Sequence, residues 1–179
     1  VQENESHLYT LDSRKIAFHD DVLYFRIPYF EVRAAFINND DGIDIINSGQ
    51  RLTNYIYKHK DTNRFIHHTR YGKKDKTSRN LKVLDIDGDT DIDIIRLLDK
   101  SKNELCINNG EGLFEKTILF GKGRNIATDV ELVDVNNDGQ LDIALSILNG
   151  SNVIYLNDKM RFKKRIYFGD KTIALCLCV

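Results

Sequence analysis

The sequence predicts an all-β fold of the β-propeller type, made of four-stranded antiparallel blades, and three observations predict it. The first is a repeated acidic loop. Asp85-Ile86-Asp87-Gly88-Asp89-Thr90-Asp91-Ile92-Asp93 and Asp134-Val135-Asn136-Asn137-Asp138-Gly139-Gln140-Leu141-Asp142 start 49 positions apart. The same step backwards reaches Phe36-Ile37-Asn38-Asn39-Asp40-Asp41-Gly42-Ile43-Asp44. The second is that other landmarks keep this step. Phe65, Phe114 and Phe162 lie 49 and 48 apart, as do the aromatic-glycine pairs Tyr71-Gly72, Phe120-Gly121 and Phe168-Gly169. The third is that the intervening runs are short, rich in Ile, Val, Leu, Tyr and Phe, and broken at Asn, Asp and Gly, with no sustained helical periodicity. A repeat of this size containing four strands has the pattern of a propeller blade rather than of the shorter solenoid repeats.

Taken along the chain, residues 1–30 read as a degenerate partial blade. Residues 31–79 read as a blade with a weak acidic loop, and 80–128 and 129–171 as blades with full loops. Residues 172–179 read as the first strand of a following blade. In the third blade the strands are expected at Asp129–Val133, Ile143–Leu148, Asn152–Leu156 and Arg161–Phe168. One repeat earlier than the first full blade, His7–Thr10 and Lys15–His19 fall on the third and fourth strand positions. That makes about three full blades plus partial ones. Propellers close with about four to eight blades, so the expectation is a segment of a larger propeller. The competing possibility is a small ring whose two ends combine into one incomplete blade.

Bulk properties narrow the function classes. With 26 Lys+Arg against 27 Asp+Glu the formal net charge is −1, which gives no electrostatic reason to expect nucleic acid as a partner. Basic residues cluster at Lys73–Lys76 and Lys159–Arg165, where a solvated strand or turn explains them. No stretch approaches the roughly 20 apolar residues of a membrane-spanning helix. The 3 cysteines, Cys106, Cys176 and Cys178, cannot all pair with one another, so no disulfide framework is implied.

The acidic loops carry the chemistry. A hard divalent cation such as Ca²⁺ takes six to eight oxygens, and a short loop supplies them from alternate residues. Numbered from the first aspartate, the third loop offers Asp134, Asn136 and Asp138 at positions 1, 3 and 5, and Gly139 at the turn. The position-7 carbonyl of Gln140 and Asp142 at position 9 complete the set. The second loop offers Asp85, Asp87, Asp89 and Asp93 at positions 1, 3, 5 and 9, with the carbonyl of Asp91 at position 7. Its glycine is displaced to position 4 (Gly88) and Thr90 occupies the turn, which makes its geometry less secure. In the first loop Phe36 cannot ligate, so Asn38, Asp40 and Asp44 form a weak site better explained as a hairpin turn. Four carboxylates within nine residues of the second loop repel one another unless a cation neutralises them. An EF-hand is excluded, because position 12 is Asn47, Arg96 or Leu145 rather than glutamate and the flanks are strand-like.

The order hydrophobic strand, Asp-x-Asp/Asn-x-Asp-Gly-x-x-Asp, second strand and downstream Phe-Gly resembles the FG-GAP/VCBS repeat. This is the repeat of the integrin α-chain β-propeller, often seven-bladed, and of many secreted bacterial propellers. The likeness covers roughly residues 31–179, though no Gly-Ala-Pro stretch follows any of the aromatic-glycine pairs. It implies that the loops join the first and second strands of a blade and hold Ca²⁺ at about two sites. It further implies that Asp85, Asp87, Asp89, Asp93, Asp134, Asn136, Asp138 and Asp142 are side-chain ligands and that Asp91 and Gln140 are carbonyl donors. The implied role is a non-catalytic, extracellular adhesion or recognition module that binds a protein or carbohydrate ligand. The alternative is an accessory propeller of a larger secreted enzyme, such as a polysaccharide hydrolase or lyase. The sequence contains no nucleophile elbow, zinc-protease helix motif or phosphate-binding glycine loop. His67 and His68, as neighbours on a strand, point to opposite faces.

Overall fold

A computed structural model describes residues 8–11, 14–19, 22–25, 29–49, 54–61, 64–74 and 76–169. Among these residues there is no helix, and fifteen strands form four antiparallel sheets. The first sheet has three strands, β1 (Leu8–Leu11), β2 (Arg14–His19) and β3 (Val22–Phe25), in that order. The strands expected from the 49-residue step at 7–10 and 15–19 correspond to β1 and β2, and β3 is an additional strand paired to β2 from His19↔Val22 onward.

The other three sheets each have four strands in sequential order. Blade one holds β4 (Tyr29–Ala35), β5 (Asp44–Gly49), β6 (Asn54–Asp61) and β7 (Arg64–Tyr71). Blade two holds β8 (Ser78–Leu84), β9 (Asp93–Leu98), β10 (Asn103–Ile107) and β11 (Lys116–Phe120). Blade three holds β12 (Ala127–Val133), β13 (Asp142–Ile147), β14 (Asn152–Tyr155) and β15 (Arg165–Phe168). The fourth strand of blade three is shorter than the expected 161–168. Lys159 and Met160 take positive φ, Phe162 turns into the core, and regular pairing starts only at Tyr155↔Arg165. The expected strand 172–179 lies outside the described residues.

The second strand of each blade is its central element. β9 and β13 are buried at every residue, and β9 has a sheet packed on each of its faces. Their near-continuous apolar runs are what two-sided burial demands. The first strands lie side by side, β4 against β8 and β8 against β12, so the blades diverge outward from a line of first strands. Polar side chains tie those strands together. Asn80 donates to Thr128 O (3.2 Å) and Asp129 Oδ1 (3.1 Å), and the Lys82 ammonium contacts Glu131 and Val130 O.

The core of the described residues consists of two inter-blade seams and a small cluster in blade one, Tyr55 and Tyr57 packed against Ile45 and Phe65. Ile46, Ile56, Tyr71, Leu81, Ile94 and Cys106 fill the seam between blades one and two. Ile95, Leu97, Leu105, Phe120, Ile143 and Leu145 belong to the larger seam between blades two and three. The two aromatic series of the sequence meet in these seams. Tyr71, of the aromatic-glycine series, has its ring 6.0 Å from Phe114 of the following blade, and Phe120 has its ring 5.9 Å from Phe162. Blades one and two thus each insert the aromatic ending the last strand beside an aromatic of the following blade.

Candidate metal centre

All three acidic segments connect the first strand of a blade to the second: 36–43 joins β4 to β5, 85–92 joins β8 to β9, and 134–141 joins β12 to β13. The aspartate at position 9 opens each second strand and is fully buried as Asp44, Asp93 and Asp142. Its role repeats in every blade. One carboxylate oxygen accepts the position-2 amide of its own loop: Ile37 at 3.3 Å, Ile86 at 3.3 Å and Val135 at 3.1 Å. The other accepts the amide at the end of the third strand: His59 at 2.9 Å, Asn108 at 2.8 Å and Asn157 at 2.7 Å. Position 9 therefore latches the loop to the body of the blade, whatever else it binds.

Positions 1 and 5 shape the loop above that latch. Asp85 accepts amides from Gly88 (2.7 Å) and Thr90 (2.9 Å), and Asp134 accepts them from Asp138 (3.1 Å) and Gly139 (2.8 Å). Position 5 accepts the position-7 amide, Asp91 to Asp89 Oδ1 at 3.0 Å and Gln140 to Asp138 Oδ1 at 2.9 Å. These bonds wrap the backbone around a small space lined by oxygens. Asp85, Asp87 and Asp89 are brought together so that a carboxylate oxygen from each lies within 4.8 Å of the others, a group that can hold a metal ion. In the third loop Asn136 takes the place of Asp87 and donates Nδ2 to Asp138 Oδ2 at 2.9 Å. Position 7 uses its side chain elsewhere, since Gln140 Oε1 accepts the Lys159 amide at 2.9 Å. Its carbonyl is left as the group it can offer to an ion.

The displaced glycine of the second loop has a simple explanation. Both loops require left-handed backbone at positions 4 and 6: Gly88 (φ 82°) and Thr90 (φ 78°) in one, Asn137 (φ 56°) and Gly139 (φ 80°) in the other. Each loop puts its glycine at one of the two positions and tolerates a side chain at the other. Asn accepts this region readily, whereas a β-branched threonine is strained there. Thr90→Gly is therefore expected to raise stability by about 1 kcal/mol, the left-handed penalty less the entropy lost by glycine. Urea denaturation of the chelated protein measures it, and a loss of stability would show that the Thr90 side chain contributes more than its backbone strain removes.

Electrostatics in the second loop favour a cation. Desolvation pushes the Asp87 carboxyl above its ordinary range, and the charges of Asp89 and Asp85 add to this. Asp93 is pushed up to about 7, mainly by burial, with Asp87 and Asp89 contributing and its two amide donors opposing. A divalent ion among these oxygens reverses the sign of the local field and returns all of them to the ionised form.

Two further residue series support the site and are visible in the sequence only as 49-residue echoes. Asn108 and Asn157 close the third strands. Asn108 Nδ2 donates to Ile92 O (3.2 Å) within its blade and to Ile37 O (2.7 Å) of the preceding one, while Asn157 Nδ2 donates to Leu141 O at 3.1 Å. Asn103 and Asn152 open those strands and accept the amides of Leu98 (3.0 Å) and Ile147 (3.1 Å). Their equivalents in blade one are His59 and Asn54.

Residues 85–145 match a family model described as an FG-GAP-like repeat. No curated protein and no solved structure matches the chain. The matched stretch begins on the first aspartate of the second loop and ends within β13, so it contains both complete acidic loops and all of β9 to β12. Over residues 85–145 this all-β chain is similar to FG-GAP-like repeats.

Proposed function

We propose that this chain is a calcium-stabilised β-propeller module whose role is extracellular recognition of a protein or glycan ligand, with no catalytic step of its own. The observation that carries the reading is the convergence of Asp85, Asp87 and Asp89 on one point of a loop whose backbone is already folded around them. Oxygen-only donors from alternate residues suit a hard cation, and Ca²⁺ tolerates the irregular loop better than Mg²⁺, which demands near-ideal octahedral geometry. Asp93 and Asp142 complete the two sites from below, with Asn136 and Asp138 beside Asp134 in the third loop. Lacking a bidentate glutamate at position 12, such loops bind in the weak range of extracellular modules, where calcium is abundant enough to keep them filled.

The blades belong in this proposal to a larger propeller. Tyr71 and Phe120 are 2 and 3% exposed because the next blade covers them, whereas Phe168, their counterpart on blade three, is 37% exposed beside Ile166 at 46%. The partner that fits this face is a further blade of the same kind, packed as blade two packs on blade one.

The test is a thermal melt in chelator and then across a calcium series, with magnesium as control. An ion at 100 times its dissociation constant adds about 2.7 kcal/mol per site. Asp89→Ala and Asp138→Ala are each expected to lower the calcium melting temperature and leave the chelator value nearly unchanged. A folded protein with the same melting temperature in both buffers would mean that the loops are turns and nothing more.

A further inference from the structure

The first loop keeps the acidic pattern at positions 3, 5 and 9 but differs from the other two in three independent ways. Position 1 is Phe36, 55% exposed, which offers no oxygen to cap the loop amides. None of the loop residues from 36 to 44 has positive φ, so the left-handed turns at positions 4 and 6 are missing and the backbone does not wrap around a central point. In addition, the Lys58 ammonium of β6 lies 2.7 Å from Asp40 Oδ2, at position 5. The residues one and two repeats later are Ile107 and Leu156, neither of which can reach its loop with a charge. Asp40 also accepts the Gly42 amide through Oδ1 at 2.9 Å, so both of its oxygens are engaged. The position-7 to position-5 bond seen in the metal-type loops survives, with an ammonium beside it.

We propose that Lys58 supplies blade one with an internal cation, so that the 36–44 loop takes no divalent ion and is ordered independently of calcium, while the loops at 85–93 and 134–142 depend on it. The second half of this statement rests on the calcium reading above; the first half does not. Blade one then serves as a fixed, ion-independent neighbour against which the two ion-dependent blades are ordered. The carboxylate at Asp40 is held below its ordinary range by the Lys58 contact, as a permanently paired group should be.

Two measurements test it. Calcium titration by calorimetry is expected to give two ions for the unaltered chain and none for the double variant Asp85→Asn/Asp134→Asn. Three ions in the former, or one remaining in the latter, would overturn the inference while leaving the calcium reading intact. No ion in the unaltered chain would sink the calcium reading but not the role of Lys58, which the second measurement decides alone. Lys58→Met is expected to lower the melting temperature by about 2–4 °C, the shift for roughly 1 kcal/mol in a chain of this size. The drop should be equal in chelator and in calcium. A melting temperature unchanged in chelator would show that the lysine does not stand in for an ion.

Discussion

Arg96→Leu alone is expected to destabilise the protein by about 3–5 kcal/mol, the range for breaking a buried ion pair from one side. Arg96 is 0% exposed and Glu104, its cross-strand partner on β10, is 1% exposed. Arg96 Nη1 lies 2.7 Å from Glu104 Oε2, the guanidinium sits 5.7 Å from the ring centre of Tyr71 of the preceding blade, and the Lys73 amide donates to the same glutamate oxygen at 3.1 Å. Removing the arginine leaves a carboxylate in the seam with one backbone donor, and removing the glutamate leaves an unpaired guanidinium. The pair is nevertheless incompletely satisfied, since Arg96 Nε and Glu104 Oε1 have no hydrogen-bond partner.

The protein contains its own control for this position. One repeat later the same cross-strand pair is Leu145 and Val153, both buried in the second seam. The double variant Arg96→Leu/Glu104→Val is therefore expected to recover most or all of the stability lost by either single change, and buried pairs replaced this way can end more stable than the parent. Guanidinium denaturation of the four proteins gives the coupling directly. A double variant as unstable as the singles would mean that the ion pair contributes net stability to the seam.

Asp142→Ala is expected to lower stability by about 2–5 kcal/mol in chelator, and by more in calcium, where loss of the bound ion adds to loss of the latch. Its two oxygens hold the Val135 and Asn157 amides, and alanine leaves both donors buried without acceptors at about 1–3 kcal/mol each. This separates position 9 from positions 1 and 5, whose variants should show their effect in calcium alone. Melting Asp142→Ala and Asp138→Ala side by side in both buffers makes the comparison. If Asp142→Ala were harmless in chelator, the aspartate would act through a bound ion and not as the latch.

Much of this arrangement is legible in the linear sequence because a repeat writes the same constraint several times. Asp44, Asp93 and Asp142 stand at one interval because each must begin a central strand beneath a loop. The strands are legible because β9 and β13, buried on both faces, must be apolar almost throughout. Less legible is anything that depends on which residues meet across a seam. Phe114 and Tyr71 belong to separate series in the sequence, and only the packing of blade two on blade one puts them in contact. Asn108 and Asn157 keep the 49-residue step, but asparagine is so common in turns that the step alone does not reveal a strand anchor.

The sequence by itself determined the repeat length, the all-β class, the place of the loops between first and second strands, and the oxygen donors each loop carries. These follow from local chemistry: which residues pleat, which turn, and which carry side-chain oxygens. The tertiary structure decided which job each carboxylate performs. It sent position 9 inward to two amides, gathered positions 1, 3 and 5 of the second loop at one point, and set Lys58 against Asp40 where a metal-type loop has no such charge. It also placed a charged pair in one seam and an aliphatic pair in the next. The physical reason is that a carboxylate's role depends on whether a backbone donor, an ammonium or an open space faces it, and those neighbours come from strands and blades distant in the chain.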